Sequence, residues 1–161
     1  MRWGLNLVWL AFSITVIIPL FMLNLSLCEA GYERYAGRHP LEILHEDTCV
    51  REKFRSILGD NYQKFLRNLE VSHQTVLMNG WLISEGIARN HKDKGKDSAI
   101  FCMDVYSGQV YAAVFSSGTI VHFYGANSLA DLPEPVTQWT LHHALMADPF
   151  YSGSIWTKGR L

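Results

Sequence analysis

Five short β-rich runs, joined by connections that contain glycine, constrain the fold of this chain more than any other feature. Asn79 and Gly80 separate the first two runs and suit a tight hairpin, because both residues tolerate positive φ. Glycines in YSG and SSG permit left-handed turns between the last three runs. The pattern predicts an antiparallel meander of five strands. They are TVLM (75–78), WLISEG (81–86), SAIFCMDV (98–105), QVYAAVF (109–115) and TIVHFYG (119–125).

Two helical patterns precede the strands. The run DTCVREKFRSILG carries apolar residues at helical spacing between Asp47, a good N-cap, and Gly59, a usual residue just past a helix end. In the run DNYQKFLRNLEVS, Asp60 is followed three residues later by Gln63, as in a capping box. Two short helices in succession are therefore predicted.

One helical pattern follows the strands. Asp131 is a suitable N-cap, and Pro133 fits the first turn of a helix. The apolar residues expected to pack this helix on the sheet are Val136, Trp139, Leu141 and Leu145. The order of elements predicts an α+β domain, in which a five-stranded antiparallel sheet is flanked by short helices.

The first 30 residues differ from the rest of the chain. Arg2 is followed by a long apolar segment, which indicates an export signal with cleavage after Ala30. Leu7 to Cys28 is also long enough to remain as an uncleaved membrane anchor. The sequence LSLC resembles a lipoprotein processing site ending in Cys28, so lipidation stays open as well. Each alternative predicts a domain that is periplasmic, or anchored in the cytoplasmic membrane and facing the periplasm.

Residues 31–46, GYERYAGRHPLEILHE, show no sustained period, which predicts a linker or a loosely docked arm. The folded domain is expected to span residues 47–161. A chain of 161 residues with 48% hydrophobic residues suits one core rather than two. The formal net charge of −1 gives no indication of nucleic-acid binding, and a homodimer is left open.

Motifs for enzymatic chemistry are missing from the sequence. The seven histidines form no ligand set with metal-binding spacing, and there is no nucleophile elbow or phosphate loop. We therefore expect no metal, no cofactor and no enzymatic activity. Cys49 and Cys102 could pair as one disulfide in an exporting compartment, or remain two separate buried thiols.

The densest charge lies in GIARNHKDKGKDSA, residues 86–99. Arg89 to Asp97 contains four cations, two anions and His91. Such a segment is either a solvated connection between two strands or a loop that contacts a partner.

Several of these segments together resemble the Ivy family of bacterial inhibitors of C-type lysozyme. The resemblance runs from about Phe54 to Trp139 and rests on LGDNYQKFLRNLEVS, the NG hairpin, SEG before the charged loop, SAIFCMDVYSGQVYAAVF, a strand ending in YG, and LPEPVTQW. It implies an exported α+β domain that inserts a loop of the form Cys-x-Pro-His-x-Cys into the cleft of the enzyme. The histidine of that loop meets the two catalytic carboxylates of the lysozyme.

In this chain the matching stretch is ARNHKD, with Ala88 and Asp93 at the two cysteine positions, Asn90 at the proline and His91 at the histidine. The resemblance therefore implies a partner-binding loop at 89–94 and a lysozyme-type glycoside hydrolase as partner. The residues expected to contact it are Arg89, Asn90, His91, Lys92 and Asp93. The alternative is a non-inhibitory envelope protein, structural or conferring immunity to a toxin, that keeps the fold without an inhibitory loop.

Overall fold

The computed structural model describes residues 31–89, 97–116, 120–147 and 156–158. Within these ranges, no helix has both the length and the apolar character that are needed to cross a membrane. The expected signal or anchor at residues 1–30 lies outside them.

Among the described residues, three α-helices precede the strands and a fourth follows all of them but the last. They are α1 (Pro40–Glu46), α2 (Thr48–Leu58), α3 (Tyr62–Asn68) and α4 (Glu134–Ala147). Short 3-10 turns lie at Tyr32–Tyr35, Gly59–Asn61 and Leu129–Asp131. The three predicted helices are thus present, and α1 is an additional one.

Residues 31–46 are not a linker. Tyr32 and Tyr35 in the 3-10 turn are 3% and 4% exposed, and Ile43 and Leu44 in α1 are 0% and 2% exposed. These four side chains belong to the main hydrophobic core. The folded unit therefore begins at Gly31 rather than near Asp47.

The helix caps agree with the sequence at α2 and differ at the other two predicted helices. Asp47 caps α2 by accepting a hydrogen bond of 2.9 Å from the Val50 backbone N–H. Asp60 lies instead in the 3-10 turn before α3, whose N-cap residue is Asn61. Asp131 accepts a hydrogen bond from the Ser128 hydroxyl, three residues before α4 begins. The predictions that Asp60 and Asp131 are N-caps were therefore wrong.

The strands that the structure describes form one seven-stranded sheet. They are β1 (Val71–Ser72), β2 (Val76–Met78), β3 (Trp81–Ile87), β4 (Ser98–Asp104), β5 (Val110–Ser116), β6 (Ile120–Tyr124) and β7 (Trp156–Lys158). Their order is β1-β3-β4-β5-β6-β7, and β2 also pairs with β3. All pairs are antiparallel except β6 with β7. The five predicted strands are β2 to β6, and β1 and β7 extend the sheet beyond the prediction.

The sheet lies between two cores. On one face, α1, α2 and α3 cover the larger core, where Phe54 stacks on Phe65 and Phe101 at centroid distances of 5.4 and 4.7 Å. On the other face, Val136 and Trp139 of α4 pack in a smaller core over β4, β5 and β6. Leu141 of α4 was expected to pack on the sheet but is 43% exposed.

Cys49 and Cys102, whose pairing the sequence left open, lie on opposite sides of the sheet. Cys102 is fully buried in the smaller core, beside α4, and is a free thiol. Cys49 belongs to α2, on the other face, and takes part in a disulfide. Of the two alternatives that the sequence left open, the Cys49–Cys102 disulfide is excluded because Cys102 is a free thiol and β4 separates the two side chains. The alternative of two separate thiols holds for Cys102 only.

β1 and β2 are two pieces of one outer edge, since both pair with β3. Between them, the Thr75 backbone N–H donates to the Arg38 carbonyl and the Thr75 carbonyl accepts from Gly37, each at 2.8 Å. The segment before α1 therefore contacts the middle of this edge.

Candidate partner-binding site

The charged segment is carried by the hairpin of β3 and β4. These strands pair over seven positions, from Trp81 opposite Asp104 to Ile87 opposite Ser98. The pairing continues for one further step, because the Ala88 N–H donates to the Asp97 carbonyl at 3.1 Å. The two ends of the charged connection are therefore side by side at Ala88 and Asp97, and we call this paired end of β3 and β4 the stem.

Arg89 is the one predicted contact residue that lies among the described residues, and it is exposed directly after the stem. Asn90, His91, Lys92 and Asp93 lie outside them. Ala88 is 6% exposed, so the position that matches the first family cysteine faces inward. Its backbone partner is Asp97, so the paired stem encloses a connection longer than the six-residue motif.

Helix α3 contacts the stem on the face of the sheet that carries the larger core. The Asn68 side-chain amide is fully buried and donates to the Ser98 carbonyl at 3.1 Å. Opposite it, Gly86 of β3 leaves room for the end of α3: a Cβ built on Gly86 would lie 2.9 Å from the Asn68 carbonyl oxygen. The close approach of α3 therefore fixes the stem relative to the body of the domain.

Exposed apolar side chains continue from the stem along the sheet. Val71, Val76, Met78 and Ile87 are 46%, 60%, 50% and 39% exposed. They lie on one face, since Val71 pairs with Ile87 while Val76 and Met78 pair with residues of β3 that share the α4 face. Helix α4 covers β4 to β6 and leaves these four residues open, and we call them the β1–β3 strip. An apolar strip of this kind is typical of a protein contact surface.

A cavity of about 270 Å³ adjoins the same end of the sheet and includes Glu85, Ile87 and His143 in its lining. The His143 Nδ1 donates to the Trp139 carbonyl at 3.0 Å, and the two rings stack at 3.9 Å. Burial lowers the pKa of His143, which keeps this imidazole neutral near pH 7. The described residues contain no group of three His, Cys, Asp or Glu side chains placed to hold a metal ion.

The region that contains this stem is also the region recognised by a family model. The model, described as "Inhibitor of vertebrate lysozyme (Ivy)", matches residues 49–144. The chain belongs to the Ivy family. Comparison with curated proteins finds no match, and comparison with solved structures finds none either.

The Ivy match begins within α2 and ends within α4, so it includes β1 to β6, the smaller core, most of the larger core and the charged segment. It confirms the resemblance drawn from the sequence. Because the Ivy family is a family of inhibitors, a protein partner of the lysozyme type is supported for this chain at the level of the family.

The β1–β3 strip was missed in the sequence. Val76 and Met78 lie on one face of β2, and Leu77, which is 41% exposed, lies on the other. Both faces of β2 are therefore apolar in sequence, and no polar residue marks the face that is exposed to solvent. The signal that could have revealed the strip is the brevity of β1 and β2. Apolar residues on short edge strands are less completely covered than those on central strands.

Proposed function

We propose that this protein is an exported inhibitor of a lysozyme-type muramidase and acts by inserting residues 89–94 into the active-site cleft. Membership of the Ivy family supports the class of target. The stem supports the mode of binding, because the Ala88–Asp97 hydrogen bond brings both ends of the connection to one point at the end of a rigid hairpin.

The proposed chemistry depends on His91. Glycoside hydrolases of this class use two carboxyl groups, and a group that fills the space between them blocks the substrate without a reaction. A histidine titrates near neutral pH, and contact with carboxylates favours its charged form. Arg89, exposed beside the stem, adds a positive charge on the approach to an acidic cleft.

The β1–β3 strip supplies the second part of the proposed interface. Val71 and Ile87 pair at the base of the stem, so a molecule that receives the loop comes close to both side chains. Burial of apolar surface stabilises such a contact by roughly 25 cal/mol per Å² before the costs of association. We therefore place the rim of the enzyme cleft against this strip.

The way in which the stem is closed also affects the free energy of binding. In place of a disulfide-closed loop, the connection here is closed by a backbone hydrogen bond at its base. Ordering each flexible backbone residue on binding costs about 1–2 kcal/mol. Fixing two such residues lowers affinity by roughly 30-fold to 1000-fold relative to a loop already closed. Since Ala88 and Asp93 stand at the two cysteine positions, the proposal predicts a weaker inhibitor than one whose loop is closed by a disulfide.

The test uses residues 31–161, the compact unit of the chain, against a panel of C-type and bacterial muramidases. His91→Ala should weaken inhibition by roughly 10-fold to 100-fold, the value of one hydrogen bond to a charged group. His45→Ala, which removes an exposed histidine of α1, is the matched control and should inhibit like the wild type.

The pH dependence gives a second readout. Inhibition by the wild type should strengthen from about pH 8 to about pH 6, as the imidazole gains its proton, and His91→Ala should remove that dependence. Unchanged inhibition by His91→Ala would overturn the loop mechanism. Failure of the wild type to inhibit any muramidase would favour the non-inhibitory envelope protein instead.

A further inference from the structure

A cationic groove lies among the three helices that precede the strands. All of its lining residues come before β1 in the sequence, and none belongs to the stem. Its volume is about 810 Å³, within the range of ligand sites in proteins. Its lining comes from α1, α2 and α3 and from Glu70, shortly after α3. The aliphatic part of the lining consists of Leu41, Leu44 and Leu66.

Positive charge is concentrated in this groove. Arg51, Arg55, Lys64 and Arg67 line it, which is four of the 14 Lys and Arg residues in a chain whose formal net charge is −1. Glu70 is the only acidic side chain among the described residues of the lining. The groove is therefore a local positive site and does not reflect a generally basic protein.

The two arginines of α2 are held in place by contacts within the domain. Arg51 donates to the His45 carbonyl at 3.1 Å and to the Thr48 hydroxyl at 3.0 Å. Arg55 lies 5.2 Å from the centroid of the Tyr62 ring, and its Nη1 donates to Glu52 at 3.1 Å. A guanidinium fixed in this way loses less conformational freedom when it binds an anion.

Lys64 and Arg67 of α3 lie near no carboxylate at ion-pair distance within the described part of the chain. Among the described residues, neither Lys64 nor Arg67 forms an ion pair, whereas Arg51 and Arg55 share Glu52. Lys64 and Arg67 are three residues apart and thus lie on neighbouring positions of the helix surface. They leave positive charge on the groove that an external anion can neutralise.

We propose that this groove binds a carboxylate-rich peptide segment of another protein, with an aliphatic side chain of that segment against the leucines. Guanidinium groups match carboxylates in geometry, and the aliphatic lining gives the peptide an apolar contact between its charges. A single-stranded nucleic acid would require exposed aromatic rings for stacking, but Tyr62, the tyrosine of the lining, is 5% exposed. A flat anionic membrane fits a concave groove less well than a peptide does.

The probe is a fluorescein-labelled hexapeptide of sequence Glu-Leu-Glu-Glu-Leu-Glu, compared by fluorescence anisotropy with its uncharged analogue Gln-Leu-Gln-Gln-Leu-Gln. The acidic peptide should bind at least about tenfold more tightly, and its affinity should fall with added salt. The double variant Lys64→Gln/Arg67→Gln should weaken its binding roughly tenfold, which corresponds to about 0.7 kcal/mol for each removed charge. Arg67→Gln alone, at an exposed position, gives a smaller loss and tests the same site with minimal risk to folding.

Arg89→Gln is the matched control, because it removes an exposed cation outside the groove and should leave peptide affinity unchanged. His91→Ala should also leave peptide affinity unchanged. The groove variants, in turn, should leave muramidase inhibition unchanged. Failure of the peptide site can therefore be distinguished from failure of the loop mechanism. Equal binding of the two peptides, or equal affinity of the double variant and the wild type, would overturn the peptide site. Tighter, groove-dependent binding of anionic vesicles or of single-stranded DNA than of the acidic peptide would also overturn it.

Discussion

Gly86→Ala tests the contact between α3 and the stem. The backbone of Gly86 does not have the positive φ that disfavours other residues, so alanine is compatible with the local conformation of β3. Space is the limit. A Cβ at this position would lie 2.8 Å from the Ser72 Cβ, 2.9 Å from the Asn68 carbonyl oxygen and 2.9 Å from the Leu69 Cα.

These distances determine how strongly Gly86→Ala should destabilise the fold. Carbon atoms in proteins rest at about 3.5–4.0 Å, so the end of α3 must move away by roughly 0.7 Å. Two of the three atoms belong to backbone, which cannot relieve the clash by a change of rotamer. Overpacking of this kind costs about 1–3 kcal/mol. With a urea m-value of about 1–3 kcal/mol per M, the midpoint should fall by roughly 1 M.

The assay is urea unfolding of residues 31–161 followed by circular dichroism and tryptophan fluorescence. Glu85→Ala is the matched control, because Glu85 is the neighbouring residue of β3 and its side chain is exposed on the other face. We expect the control to change the free energy of unfolding by less than about 0.5 kcal/mol. If Gly86→Ala unfolds at the same urea concentration as the wild type, α3 does not pack against β3 as described.

Two further predictions concern ionisable groups. Burial raises the pKa of the Cys102 thiol to about 12, so this thiol should not react with Ellman's reagent near pH 8 in the native protein and should react at once after unfolding. Burial also raises the pKa of Asp47, but hydrogen bonds from the Tyr35 hydroxyl and the Val50 N–H outweigh that effect, and the pKa of Asp47 lies below its usual value. The stability that this carboxylate gives is therefore present above its unfolded pKa and is lost as pH falls through the folded one. Asp47→Asn should flatten the loss of stability in acid below about pH 4, measured by thermal unfolding.

The central strands could be predicted because their signals are local. Asn79, the one described residue other than glycine with positive φ, and Gly80 both take left-handed conformations in the β2–β3 turn. Gly108 does the same in the connection between β4 and β5. The runs between these turns are apolar and long enough to identify strands without knowledge of their partners.

The segment before α2 could not be predicted in the same way. Its helix α1 has seven residues and the preceding 3-10 turn has four, too few to establish a period. What fixes Tyr35 in place is tertiary: its hydroxyl donates to Asp47, and the hydroxyl of Thr75, 40 residues away, donates to its carbonyl. β1 and β7 were missed for a related reason, since strands of two and three residues depend on the strand beside them.

At the candidate site, the sequence indicated where the loop begins but not how its base is held. The NG turn and the SEG ending place β3 correctly, which fixes Arg89 at the start of the connection. The pairing of Ala88 with Asp97 could not be read from the sequence, because register depends on both strands. The roles of Asn90, His91, Lys92 and Asp93 stay predictions.

The backbone contacts at Thr75 also affect how copies of this protein behave in concentrated solution. A long open edge strand invites a second molecule to add its own strand, which is a common route to aggregation. Here the edge consists of two residues in β1 and three in β2, and Thr75, which lies between them directly before β2, already has its N–H and carbonyl engaged by residues 38 and 37. The segment before α1 thus leaves no uninterrupted template of useful length, so its loss should make the domain prone to forming fibrils.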